Sequence, residues 1–83
     1  MAKYRKRPVV VEAEQFMGIH AVPWPNGVMR DPGEGEQPFV VTVHAQRCYI
    51  ESGDWILPEP DGEHFYPCKP DIFAATYEAV SEA

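Results

Sequence analysis

The amino-acid sequence predicts a small β-rich α+β domain: a mostly antiparallel sheet or partly open barrel with one short C-terminal helix. Three observations carry this expectation. Short valine-rich and aromatic runs such as PVVVEAEQF and FVVTV recur between turn residues, and β-branched side chains favour strands. Nine prolines and six glycines punctuate 83 residues, which excludes long helices. Pro70-Asp71 near the end has the form of a helix start: proline loses nothing in the first turn, and an acid complements the positive helix end. A chain this short holds one domain, residues 1–83, with a thin core. Pairing with a second copy would thicken that core, so a homo-oligomer is compatible with it.

Residues 8–16 read as the first strand, with Val9, Val11 and Ala13 on one face and Val10, Glu12 and Glu14 on the other. Pro8 suits a strand's first position. Residues 18–38 form a Pro/Gly-rich loop region in which Asn26-Gly27 marks a turn. Trp24 and Val28 are expected to reach the core from it, and RDPGEGEQ to form an exposed, mobile tip. FVVTV at 39–43 reads as a second strand, with Phe39, Val41 and Val43 on one face. RCYIE resumes the pattern with Cys48 and Ile50 on one side. Ser52-Gly53-Asp54 is a turn, WIL at 55–57 a third strand, Asp61-Gly62 a hairpin dipeptide and EHFYP at 63–67 a fourth strand. The block 39–67 therefore reads as one antiparallel meander. Ile72, Phe73, Ala75 and Thr76 give one or two helical turns on the sheet, and residues 77–80 a last strand against residues 8–14.

The formal net charge is −6, unevenly spread. Residues 1–7 form a basic tail with Lys3, Arg5, Lys6 and Arg7; from Pro8 onward three basic residues face thirteen acidic ones. Such a body is a poor match for nucleic acid, whose affinity comes from Lys and Arg displacing counterions. A Tyr4-Arg-Lys-Arg arm is the one nucleic-acid-like feature. No apolar run reaches the roughly 18–20 residues of a membrane span. MAKYRKRP lacks the apolar stretch of a signal peptide, so reduced thiols at Cys48 and Cys68 in a cytoplasm are expected.

Few residues suggest chemistry. His44, Cys48, His64 and Cys68 form a doubled H-x-x-x-C, a legitimate ligand set for zinc. Each pair lies in strand-like sequence, where members four apart stand about 13 Å from each other; only a kink at a turn or at Pro67 would unite them. Two half-buried thiols and two surface imidazoles is the plainer reading. Cys68 before a helix start and beside Lys69 could be a reactive thiol with His64 as base, but no third residue orients that pair. Asp31, Glu34 and Glu36, and Glu59, Asp61 and Glu63, sit in Gly/Pro loops and read as solvated acids. No phosphate-binding or nucleophile-elbow motif is present. No catalytic set and no cofactor is expected. If a small ligand binds, the residues are Trp55, His64, Tyr66, Lys69 and Asp71, grouped around one hairpin and the helix start, where an anion would be favoured.

YRKRPVVVEAEQF at 4–16 and GDWILPEPDGEHFYPCKPDIFAATYE at 53–78 resemble a family of small tailed-phage and prophage proteins. Its members open with Y-R-K-[KR]-P-V-V-[VI]-E-A and close with G-D-[YW]-I and F-Y-P-x-K-P-D-[IV]-F-x-x-T-Y-E. The resemblance covers about half of the chain and marks a family, not a reaction; it carries no catalytic residues. It implies an accessory protein acting in the host bacterial cytoplasm on an unknown host or phage protein. Two alternatives stay beside that interaction module: a homo-oligomer binding a nucleotide-like anion, and a zinc- or cysteine-dependent protein.

Overall fold

A computed structural model describes residues 1–5 and 10–80. Six short strands and one helix follow in chain order: β1 (Glu14–Gln15), β2 (Met29–Arg30), β3 (Pro38–Val41), β4 (Arg47–Tyr49), β5 (Trp55–Pro58), β6 (Phe65–Cys68) and α1 (Pro70–Thr76). They form two three-stranded antiparallel sheets, ordered β1-β5-β6 and β2-β3-β4. The barrel does not close, and the block 39–67 is not one meander. Tyr49 ends β4 and Trp55 opens β5 in different sheets, because the turn at 51–54 redirects the chain between two ladders.

The core lies between the sheets. Phe16, Val40, Ile50 and Ile56 are buried there, with Trp24, Val28, Cys48 and Phe65 packed against them. Trp24 and Val28 thus reach the core from the loop region, and Cys48 and Ile50 share its side, as the sequence predicts. The face of β3 is different. Phe39 and Val41 do share a face, but it is the outer one. Val40, fully buried, points inward opposite Cys48. Phe39 is buried on the outside instead, under the Tyr49 ring at 5.9 Å and the Arg47 guanidinium at 4.6 Å. Val43 lies past the strand's end and is exposed.

The first strand is shorter than expected. Pro8 and Val9 lie outside the described residues, and only residues 14 and 15 join a ladder, Glu14 opposite Ile56 and Gln15 opposite Trp55. Extending that register would set Glu12 against Pro58 and Val10 against Pro60. Neither proline has an N–H to donate, so the ladder stops. The inside-outside alternation survives without it: Val11 and Ala13 are half-buried, while Val10, Glu12 and Glu14 are exposed. Residues 77–80 form no strand and do not pair with the first segment; β5 is the partner of β1. The RDPGEGEQ tip is exposed but fastened, since the Asp31 carboxylate accepts from Tyr49 Oη at 2.6 Å and from Gly33 N–H at 2.9 Å.

One turn ties the pieces together. Asp54, 2% exposed, is the one charged side chain buried among the described residues. Its carboxylate accepts the Glu51 N–H at 2.9 Å and both its oxygens lie 3.2 Å from Lys69 Nζ. The Asp54 carbonyl accepts the Phe16 N–H at 2.8 Å, and Gln15 Nε2 donates to the Gly53 carbonyl at 3.0 Å. The end of β1, the turn before β5 and the junction of β6 with α1 meet at this point.

Gly27 sits in the Asn26-Gly27 turn at φ +93°, and a Cβ there would run into the Phe65 ring. Gly27→Ala should therefore cost both left-handed strain and overpacking, about 2–4 kcal/mol in denaturant melts. Gly62→Ala, at φ +74° with open space around it, should cost only the strain, about 1–2 kcal/mol.

Candidate functional site

The pleat of the β5–β6 hairpin divides its side chains between two layers. Trp55 stands opposite Cys68 and Leu57 opposite Tyr66, so these four share one face; Ile56, Pro58, Phe65 and Pro67 share the other. The second face joins the inter-sheet core. The first is covered by α1. Phe73 lays its ring flat on Trp55, centroids 4.2 Å apart and planes within 6°. Tyr77, one turn on, continues the stack at 4.9 Å and 22°. Its hydroxyl lies 3.4 Å from that of Tyr66. Burial first, and the Tyr77 hydroxyl second, push the Tyr66 phenol up to about 12.

A seven-residue helix is too short to persist alone, and none of its residues is fully buried. The stack is what seats it. The helix covers only part of the face, and beside it a groove of about 790 Å3 remains open. Residues 10–13, Trp55, Pro70, Phe73, Ala74 and residues 77–80 line it. Its polar groups are acidic: Glu12 and Glu78 stand in the lining, and among the described residues no basic side chain does. A smaller hollow of about 180 Å3 carries Glu12 and Glu14 over Ile56, Pro58 and Phe65.

The three cations of the body are already matched. Arg30 lies 3.6 Å from Glu36 and over the Trp24 ring; Arg47 lies 3.5 Å from Asp31. Lys69 meets Asp54, and Glu51 at 3.6 Å. Its ammonium is held above its ordinary value, by the Asp54 hydrogen bond first.

Of the residues singled out in the sequence, Trp55 and Tyr66 lie on the covered face. Lys69 neighbours them in sequence but faces the protein's own carboxylates, and Asp71 is exposed in the first helical turn. His64 lies apart, just before β6 at the hairpin tip. There its Nδ1 meets the Asp61 carboxylate, which also accepts the N–H groups of Glu63 and His64 at 2.9 and 3.0 Å. The proposed zinc ligands do not converge. His44 is exposed in the β3–β4 turn, Cys48 packs on the core, and Cys68 sits on the opposite face of the other sheet. Among the described residues the one metal-competent group of three is Asp61, Glu63 and His64, with ligand atoms within 4.8 Å. Both thiols are free.

Phe73, Tyr77 and the wall at 10–13 are absent from the sequence-derived set. The four-residue spacing of Phe73 and Tyr77 was the available signal, since residues at i and i+4 share a helix face. No family model matches the chain, and no curated protein or solved structure shows detectable similarity to it.

Two outcomes follow from this geometry. Phe73→Ala removes both stacking contacts and should lower stability by about 1–3 kcal/mol, with the helical circular-dichroism signal lost before the β signal on heating. At the hairpin tip, the Asp61 hydrogen bond raises the His64 pKa above 6.5. The Glu63 N–H first, then His64, lower Asp61 to about 2. The imidazolium's contribution is full below pH 6.5 and fades as pH rises through the folded midpoint. The carboxylate's contribution is full above pH 3.8 and is lost as pH falls toward 2. An NMR titration should place the His64 midpoint above 6.5, and Asp61→Asn should return it to the ordinary value.

Proposed function

We propose that this chain is a non-enzymatic accessory protein of a phage or prophage, acting as a protein-interaction module in the cytoplasm of the infected bacterium. Its working surface is the groove between residues 10–13 and the Trp55–Phe73–Tyr77 stack. The phage setting rests on the resemblance of residues 4–16 and 53–78. The interaction reading rests on the groove: an open, aromatic-walled channel that leaves Val10 76% and Val80 62% exposed, with carboxylates and, among the described residues, no cation in its lining. Exposed apolar surface rimmed by charge is the ordinary mark of a protein contact. A host or phage protein offering apolar anchors flanked by lysine or arginine fits it.

The same features weigh against an anionic ligand. Glu12 and Glu78 would repel a phosphate, Lys69 is paired, and the seven-residue α1 is a short dipole. No helix among the described residues is long and apolar enough to cross a membrane.

The test is capture from infected-cell lysate with three baits. The parent chain and Tyr49→Phe, altered on the far sheet, should recover the same partner, while Val10→Asp with Val80→Asp should not. Equal recovery by all three baits would remove the groove from the interaction. Thermal shift against a nucleotide panel should show no stabilisation. A true ligand at 100 times its Kd would add about 2.7 kcal/mol and would move the assignment to an anion binder.

A further inference from the structure

Backbone hydrogen bonds are close to obligatory for buried or half-buried chain, and an edge without them is a template for another strand. Residues 10–13 and 78–80 make no backbone hydrogen bond to any described residue. Both segments line the same groove. The first is the continuation of β1, which is an edge strand of its sheet. On its inner side Pro58 and Pro60 forbid the ladder. On its outer side nothing among the described residues competes for the N–H and C=O groups of Val11 and Ala13. In an antiparallel register these odd positions bond away from β5, because Phe16, an even one, bonds toward it through the Asp54 carbonyl. Val11 and Ala13 are also the half-buried members of the segment.

The geometry points to strand addition: an extended segment of a partner protein lies in the groove and pairs with the free edge at Val11 and Ala13. Its alternate side chains follow from the lining. One set rests on Trp55, Phe73 and Ala74 and is apolar. The other stands at the rim by Glu12 and Glu78 and is basic. Neither carboxylate has an ion-pair partner among the described residues, while all three body cations have one. A second copy pairing through its own groove is a poorer occupant, since it would set Glu12 and Glu78 of one copy against the same carboxylates of the other. This inference rests on the groove reading above and adds to it the conformation and charge of what binds. Backbone pairing supplies affinity in such complexes, and alternate side chains supply selectivity.

The probe is a capped (Lys-Val)4 peptide. Calorimetry should show binding, and amide exchange should slow at Val11 and Ala13 when peptide is added. N-methylation of alternate peptide amides should weaken binding roughly tenfold or more, since it removes ladder bonds and leaves charge and side chains unchanged. A (Glu-Val)4 peptide should not bind. Val80→Asp, at an exposed position, should keep the melting temperature and lose the peptide. If methylation has no effect and the two amides stay unprotected while Val80→Asp still loses the peptide, strand addition is wrong and the groove reading stands. If (Lys-Val)4 fails to bind while groove variants still lose their lysate partner, strand addition again falls alone. If sedimentation shows a dimer that Val10→Asp dissociates, with Val11 and Ala13 protected before any peptide is added, the occupant is a second copy and the basic partner is refuted.

Discussion

A carboxylate at the centre of this protein is shut away from water, and the rest of the molecule is arranged around keeping it satisfied. Burying an unpaired charge costs several kcal/mol, so Asp54 is tolerated only with its partners in place. Those partners come from separate parts of the chain: the Glu51 N–H one turn earlier, and Lys69 fifteen residues later. The turn so formed presents its carbonyls to Gln15 and Phe16. Through Lys69 it also sets where β6 ends and α1 begins. The helix needs that placement as well as the stack of Phe73 on Trp55, because seven residues are too few to persist alone. With its start tied to Asp54, Phe73 lands on Trp55, the residue next to Asp54 in the chain.

The strand that follows is used on both sides. Ile56 faces the inter-sheet core with Phe16, Val40 and Ile50, while Trp55 and Leu57 face the helix layer. A domain of this size has few apolar residues to distribute, and four consecutive positions of β5 serve two layers. One consequence is functional. The helix is too short to cover its face, and the uncovered remainder is the groove. Pro58, which ends β5, and Pro60, in the hairpin turn, are the residues that keep 10–13 from closing onto β5.

Much of this was readable in the sequence where the signal was local. The β-rich class, the helix start at Pro70-Asp71, the Asp61-Gly62 hairpin and the inward placement of Trp24, Val28, Cys48 and Ile50 all follow from turn chemistry or dyad spacing. The failures are non-local. Three valines promise a strand over 8–16, but Pro58 and Pro60 stand opposite only once the register with β5 is known. Alternation along FVVTV identifies a face without saying which way it points, and Val40 is the inward residue because Phe39 has Tyr49 and Arg47 to cover it. The four residues of the H-x-x-x-C pairs look alike in sequence and are separated by sheet and by face. Lys69 looked like an anion-binding group because Asp54, its partner, reads as an ordinary turn residue. Of the residues expected at a ligand site, Trp55 and Tyr66 lie on the covered face, while the rings that complete it come from the helix, Phe73, and from the residue that caps its end, Tyr77.

The central claim is that the Asp54–Lys69 pair seats α1 so that Phe73 and Tyr77 build the groove wall on Trp55. Nuclear Overhauser contacts between the Trp55 indole and the Phe73 ring test it most directly, read in the parent chain and in Asp54→Ala. The contacts should be strong in the parent and absent or much weakened in the variant, with the cross-strand contacts of β3 and β4 retained. Unchanged indole-to-ring contacts in Asp54→Ala, or none in the parent chain, would contradict it.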